Sequence, residues 1–410
     1  MSRLRQKGYQ AYLVGGAVRD LLLGGHPKDF DIATDATPEA VHGLFRNSRI
    51  IGRRFRIVHV RFGREIIEVT TFRGHHDNEA PATDERGGNH SRQSASGLLL
   101  RDNVYGTLEE DAVRRDLTVN ALYYDSGKFE VYDHVGGLND LNGRRISIIG
   151  DPAVRFTEDP VRMLRVARFA AKLEFSVEDK TAHAIPQCAH LLEHIPSARL
   201  FDEFLKLFLA GHARATLDKL LAFDLLRYLF PETSQCVQHD EHALALVRAA
   251  MLNTDRRIAD DKPVTPAFIL AALLWPVVRR QATHLEQCGE PPMIAMNNAA
   301  QDTLSEATQH LSIPRRFSQP MREIWEFQLR LERRRGRKCA ELVDHRRFRA
   351  AYDFLLLREQ AGEETGQLGQ WWTDFQELSL EQRLAEVGSG GGRARKGPRK
   401  PRTRRRDPAQ

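Results

Sequence analysis

Two carboxylates bracket a single phenylalanine in "KDFDIAT", residues 28–34, and acids at that spacing can do chemistry. Phe30 to Thr34 reads as a strand. Alternate side chains on a strand face opposite ways, so Asp29 and Asp31 are expected to share one face while Phe30 turns to the core. At roughly 3.3 Å per residue their Cα atoms would lie ~6.6 Å apart. Two like charges so placed repel unless a cation sits between them. A hard, six-coordinate ion such as Mg²⁺ takes carboxylate oxygens together with substrate phosphates. A lone Asp-x-Asp is as often a solvated strand end, so the residues before it decide.

Those residues are "YLVGGAVRDLLL", 12–23, a strand running into a helix with Gly15 and Gly16 at the junction. Glycines there let the backbone approach a phosphate closely, and the unpaired N–H groups of a helix start attract an anion. Arg19, one turn in, adds a planar cation suited to phosphate oxygens. A phosphate cradle followed by paired carboxylates is a stronger signal than either alone.

The elements that must hold these groups follow from periodicity. Strands are expected at 11–15, 30–34, 56–62, 65–72, 121–125 and 129–133, with helices at 17–23 and 38–46. Between Arg73 and Leu98 the sequence is polar and rich in Gly, Ser and Asn, as in a mobile loop. Helical periodicity takes over from Pro160 to about Leu380, in blocks such as "PVRMLRVARFAAKL" and "ARLFDEFLKLFLAG". The pattern predicts an α/β head (1–147), an all-α neck (148–212) and body (213–387), and a disordered basic tail (388–410).

Bulk properties narrow the class. A chain of 410 residues suffices for two or three domains, and 41% hydrophobic with 28% charged residues is a globular composition. The four cysteines are widely spaced with no Cys-x-x-Cys pair, which excludes the usual zinc spacings and suits a reducing, cytoplasmic setting. The apolar run Val264–Val278 is broken by Pro266 and Pro276, so neither a membrane span nor a signal peptide is expected. Of 61 basic and 55 acidic residues, nine Lys or Arg and one acid lie beyond residue 387, so the tail alone makes the chain basic. Its charge density suits a polyanion.

Gly15, Gly16, Val18, Arg19 and Asp20, followed by Asp29-Phe30-Asp31, resemble the head of the class II nucleotidyltransferases. That family comprises the CCA-adding tRNA enzymes and the bacterial poly(A) polymerases, and the resemblance covers residues 9 to 380. It implies nucleotidyl transfer with Mg²⁺ held by Asp29 and Asp31, one ion activating an RNA 3′-hydroxyl and a second clamping the triphosphate. A third carboxylate is expected, with Asp116 favoured and Glu68, in "EIIEVTTF", the alternative. The family's Arg-Arg-Asp motif followed by Asn points to Arg115, Asp116 and Asn120 at the nucleotide. In "TEDPVRMLRVARF", Asp159 and Arg162 match the pair that reads the Watson–Crick edge. A carboxylate accepting from an exocyclic amine and a guanidinium donating to the adjacent ring nitrogen fit adenine and cytosine, and Arg165 is placed as a phosphate or base neighbour. Helix capping by Asp159, with an Asp159–Arg162 ion pair, is the plain structural alternative.

Two features favour the poly(A) polymerases within the family. "IIGRRFRIVHV", residues 50–60, places Arg53, Arg54 and Arg56 with His59 and resembles the segment that marks them; the arginine-rich tail is the other. The body segment with Arg333, Arg334, Arg335, Arg337 and Lys338 resembles theirs as well and offers cations to RNA phosphates. Gly136 and Gly137 resemble the family's flexible link between head and neck. Relatives usually carry an extension before the first strand, whereas Met1 stands eight residues ahead of Tyr9. The expectation is a monomeric, template-independent polymerase that adds AMP from ATP to RNA 3′ ends in RNA polyadenylation and decay, with a CCA-adding enzyme as the alternative. Protein partners are left open.

Overall fold

The computed structural model describes residues 1–52, 56–74, 92–93, 99–101 and 104–388. Arg53, Arg54, most of the 73–98 loop and the tail from 389 lie outside the described residues.

The head opens with α1 (Ser2–Gln6), β1 (Ala11–Val14) and α2 (Gly16–Leu22). β2 (Asp31–Thr34) returns antiparallel to β1 and leads to α3 (Pro38–Leu44), whose start is fixed by a proline and by the Thr37 hydroxyl accepting from the Ala40 N–H at 3.2 Å. A meander of β3 (Ser48–Ile51), β4 (Ile57–Phe62) and β5 (Glu65–Thr71) follows, with a separate hairpin of β6 (Arg92–Gln93) and β7 (Leu99–Arg101). Then come α4 (Leu108–Arg114), a 3-10 turn at Thr118–Asn120, β8 (Leu122–Asp125), β9 (Glu130–Asp133) and α5 (Gly137–Asn142). Seven strands form one sheet in the order β3-β4-β5-β2-β1-β8-β9, in which only β2 and β5 pair in parallel.

The two faces of this sheet are segregated by the period of two. Ile32, Val58, Val60 and Val69 pack with Leu4, Val41 and Phe45 beneath α1 and α3. Val14 and Ala33 pack on the other face with Phe72, Leu108, Ala112 and Tyr123, beside α4. Asp31 shares the face of Ala33, and His59 and Glu68 lie opposite in phase to Val58, Val60 and Val69, so all three project on the α4 side.

The mixed-sheet head followed by helices agrees with the sequence reading; α1 and β3 were not anticipated. One expectation is corrected. β2 begins at Asp31, so Asp29 sits in the preceding connection rather than on a shared strand face, and Phe30 is 43% exposed rather than in the core. The reason is the ladder: Asp31 pairs with Val14, after which β1 ends at the Gly15 turn and leaves Phe30 no partner on that side. Gly137 also differs from a flexible link. A Cβ there would collide with the Thr118 carbonyl oxygen, so its hydrogen permits close packing of α5 on the 3-10 turn.

Two compact units divide the described chain. The first holds residues 1–235 with 251–264 and 307–313, and the second holds 236–250, 265–306 and the residues from 314 onward. In the first, the head continues into α6 (Pro152–Glu158), α7 (Val161–Leu173), α8 (Asp179–Cys188), α9 (Ser197–Phe208) and α10 (Ala213–Ala222). The boundary expected after residue 212 falls inside this unit, where α10 packs against α7. α7 buries Val161, Leu164, Ala167 and Ala171 at helical spacing, which leaves Arg162, Arg165 and Arg168 along one edge. The second unit is helical. Its core includes Phe327, Phe348, Trp372 and Phe375, and the buried Trp325 and Trp372 indoles donate to the carbonyls of Ala271 and Leu331 at 3.1 and 3.0 Å. Among the described residues no helix is long and apolar enough to cross a membrane.

Candidate active site

Three carboxylates lie near the start of β2. Asp31 is in register with Glu68 on β5, while Asp29 precedes it in the connection. Burial, followed by the charge of Glu68, holds the Asp31 carboxyl above its ordinary value; Asp29 adds to the rise and Arg115 opposes it. Glu68 also accepts a hydrogen bond from His59 Nε2 at 3.0 Å. Asp116, the favoured third carboxylate, is engaged elsewhere. Its Oδ2 accepts from Arg165 Nε at 2.5 Å and its Oδ1 from the Leu117 N–H at 2.8 Å. Burial alone would raise its pKa, but Arg165, the Leu117 amide and Arg162 hold it down to about 2. The geometry thus puts Glu68, the sequence alternative, beside Asp31. Among the described residues no group of three His, Cys, Asp or Glu side chains stands in metal-ligating arrangement; the carboxylates at β2 are coupled through charge.

The glycine turn adjoins this set. Gly15 takes φ 75°, a left-handed conformation that favours glycine, and a Cβ on it would stand 3.7 Å from Arg115 Nη1. Arg115 is fixed by Asp111 and Tyr123: its Nε donates to the tyrosine hydroxyl at 2.8 Å and its Nη2 to Asp111 Oδ2 at 3.1 Å. Burial opposes its charge, but Asp111 and Tyr123 more than compensate and its pKa is raised. Arg19, expected as a phosphate ligand, lies in the wall of the site. It is 2% exposed, donates to Asp20 Oδ1 at 2.8 Å and to Asn120 Oδ1, and lies over the Phe169 ring at 5.1 Å. A guanidinium so enclosed supports the wall of the site. Asn120, 7% exposed, accepts that bond and is part of the same support.

The neck braces the Arg-Arg-Asp segment. Arg155 Nη2 on α6 donates to the carbonyls of Arg114 and Arg115 at 2.7 and 2.6 Å, and its Nη1 reaches Glu158 at 2.7 Å. Glu158 also takes Arg162 at 2.7 Å, while Asp159 takes Arg199 Nη2 from α9 at 2.7 Å and the Val161 N–H at 3.3 Å. The helical Asp159–Arg162 ion pair is therefore not formed. Each residue of the expected base-reading pair is held by a third residue instead. Arg165 is the partner of Asp116 and sits over Phe169.

Cations crowd this junction. Burial, then Arg73, Arg155, Arg162 and Arg115, press the Arg114 pKa down to about 9. Arginine keeps its proton regardless, so the crowding expresses a demand for anions. Arg56 is bound at 2.6 Å to Glu39, and Arg53 and Arg54 lie outside the described residues. The expected body cations begin with Arg333, Arg334 and Arg335; Arg334 donates to the Gly366 carbonyl at 3.3 Å, and Arg337 pairs with Glu341 at 2.7 Å. Sequence reasoning missed Arg199, which acts through a contact 40 residues away, and also Glu158 and Asp111, whose pairings with Arg155, Arg162 and Arg115 lie at helical spacing and were open to a reading of the local pattern.

Three family models match the chain. They are the "Poly A polymerase head domain" over residues 11–147, the "Probable RNA and SrmB-binding site of polymerase A" over 174–236 and the "Polymerase A arginine-rich C-terminus" over 288–407. Poly(A) polymerase I of Salmonella typhimurium is 48% identical over 381 residues, covering 91% of this chain and 80% of that relative. A CCA-adding enzyme of Bacillus pumilus is 40% identical over 226 residues, 55% of this chain and 52% of that protein. The crystal structure of the Bacillus stearothermophilus CCA-adding enzyme in complex with CTP matches with TM-score 0.62 at 26% identity, covering 94% of this chain and 80% of that one. With a sheet that presents carboxylates beside a glycine turn and a similarity to poly(A) polymerase I that runs through head, neck and body, the chain belongs to the bacterial poly(A) polymerase family of nucleotidyltransferases.

Proposed function

We propose that this protein adds AMP from ATP to RNA 3′ ends without a template, as a polynucleotide adenylyltransferase. The observation that carries the reading is its extent: similarity to poly(A) polymerase I spans 91% of the chain, whereas similarity to the Bacillus pumilus CCA-adding enzyme spans 55%.

The donor set fits a divalent cation, because Asp31, Asp29 and Glu68 are hard oxygen ligands whose mutual repulsion an ion such as Mg²⁺ relieves. Asp29 and Asp31, with Glu68 as the third carboxylate, would hold the metal, which would supply Lewis-acid polarisation of the phosphate and lower the pKa of the attacking hydroxyl. The chain's own residues position the substrates. The Gly15 turn lets a triphosphate approach the backbone, and the guanidinium of Arg115, held in place by Asp111 and Tyr123, faces that turn. The RNA 3′ oxygen bonds to the α-phosphorus, and the bond to pyrophosphate breaks. Asp159 and Arg162 read the adenine edge, the carboxylate accepting from the exocyclic amine and the guanidinium donating to the ring nitrogen. Guanine and uracil present the opposite pattern. Arg53 and Arg54 are assigned to the triphosphate on resemblance. RNA decay as the biological setting, cytoplasmic residence and a monomeric state belong to the same reading.

Primer extension tests it, with each NTP separately, on a generic RNA and on a tRNA lacking its terminal CCA. The expected result is long ladders with ATP on the generic RNA. Addition confined to C, C and A on the tRNA would instead assign the CCA-adding activity.

A further inference from the structure

Three guanidiniums gather on the ring of Phe169, the aromatic residue of α7. Arg168 lies 4.5 Å from the ring centroid, Arg19 5.1 Å and Arg165 5.6 Å, all within the range at which a cation is drawn to an aromatic face. Arg165 and Arg168 share α7 with the phenylalanine, whereas Arg19 reaches it from α2 of the head. The ring is 8% exposed, so the attraction acts where water screens it little. Three like charges so close repel, and the acids that offset them are unevenly shared. Arg165 has Asp116, and Arg19 has Asp20. Arg168 has no ion pair among the described residues, and its buried Nε meets no acceptor there. Burial, then Arg165, presses the Arg168 pKa down to about 10; Arg19 adds to the fall, and Glu203 and Asp116 oppose it. A buried guanidinium with so few acceptors calls for an anion that the fold itself does not supply.

We propose that Phe169 is a positioning residue for ATP: its ring holds Arg19, Arg165 and Arg168 together as one cationic array that draws in the polyphosphate of the nucleotide. The inference rests on the proposed adenylyltransferase reading and adds to it a residue with no hydrogen-bonding group of its own. The array adjoins the glycine turn, since a Cβ on Gly16 would stand 3.4 Å from Arg19 Nη2. On its other side Arg165 holds Asp116, the neighbour in sequence of Arg115, which faces the same turn. Arg165 and Arg168 keep part of their surface open, while Arg19 contributes its charge from within the wall. A polyphosphate suits this arrangement because it carries several negative charges along one chain and meets separate guanidiniums at once.

The experiment replaces Phe169 in the full chain with leucine and, separately, with mono-, tri- and pentafluorinated phenylalanine, a series that weakens the negative face of the ring with little change of shape. ATP incorporation is followed by steady-state kinetics, with adenosine as a competing inhibitor, and binding of inorganic tripolyphosphate by calorimetry. KM for ATP and the Kd of tripolyphosphate are expected to rise together along the series, reaching about tenfold at the pentafluorinated ring, with kcat and the inhibition constant of adenosine within about twofold of wild type. Phe169→Leu is expected to lose at least as much. A KM that stays flat along the series overturns the inference, as does an equal loss in adenosine binding, the mark of a site that has merely loosened. Melting temperatures identify a leucine variant that fails to fold, and the fluorinated series then decides alone. Tripolyphosphate binding that follows the series in a chain unable to extend RNA with ATP would overturn the functional reading and leave the array in place.

Discussion

At the residue scale, Asp31 is held in an unfavourable state. Burial and the neighbouring Glu68 and Asp29 charges raise its pKa, so the folded chain disfavours its ionised form. The fold therefore gains from a proton on Asp31, and loses that gain as pH rises past the ordinary carboxylate range. Replacement by a neutral isostere removes this penalty. Asp31→Asn should raise the melting temperature in EDTA while lowering AMP incorporation by at least on the order of 10²-fold, with RNA affinity retained. Calorimetry and primer extension check the two halves, and a variant that turns over normally would end the metal assignment. Asp159 presents a different case, because Arg199 holds it from another helix at 2.7 Å. Arg199→Ala should free the carboxylate and reduce the preference for ATP over GTP by about tenfold, part of the on-the-order-of 10⁴ discrimination a polar base-reading site can supply. Competition assays with both nucleotides measure that ratio.

At the element scale, the Asp116–Arg165 pair joins the end of the Arg-Arg-Asp segment to α7. The pKa of Asp116 is lowered from 3.8 to about 2, so its contribution to stability is complete above pH 4 and is lost as pH falls through about 2. At neutral pH that contribution is about 2 kcal/mol. Asp116→Asn should lower the melting temperature at pH 7, and the difference from wild type should vanish near pH 2, as followed by circular dichroism. This pair also marks what the sequence could and could not disclose. Periodicity located β1, β2, β4, β5, β8 and β9 to within a residue or so, because alternation records which face is buried. Asp116 was pointed to by the resemblance of the Arg-Arg-Asp motif, which carries no local signal for the direction of its aspartate. That direction is set by Arg165, 49 residues away in the chain. The burial of Arg19 was likewise unreadable locally, since the Asn120 that encloses it lies 101 residues on. Local pattern reports burial and helical neighbours; it does not report distant partners.

At the scale of the whole molecule, cations extend from the head–neck junction into the body and the tail. The described body offers exposed arginines such as Arg337 and Arg346, and the sequence beyond residue 388 adds nine more cations. Binding of a single strand loses about 0.7 from the slope of log affinity against log salt for each phosphate contact removed. Truncation after Gly388 should therefore weaken RNA binding at low salt and flatten its salt dependence, with extension of short primers spared. Filter binding across a salt series decides, and an unchanged slope would make the tail a bystander.

The grip of Arg155 on two carbonyls of the head carries a consequence for recombining the parts of this chain. A single guanidinium on α6 fixes the backbone of Arg114 and Arg115, and its neighbour Glu158 orients Arg162 one turn later. On the proposed reading, phosphate contact and base choice therefore share one structural block. Chimaeras spliced between head and neck near residue 147 would sever this block, whereas a graft spliced near residue 235, where the first unit's main span ends, would carry it intact.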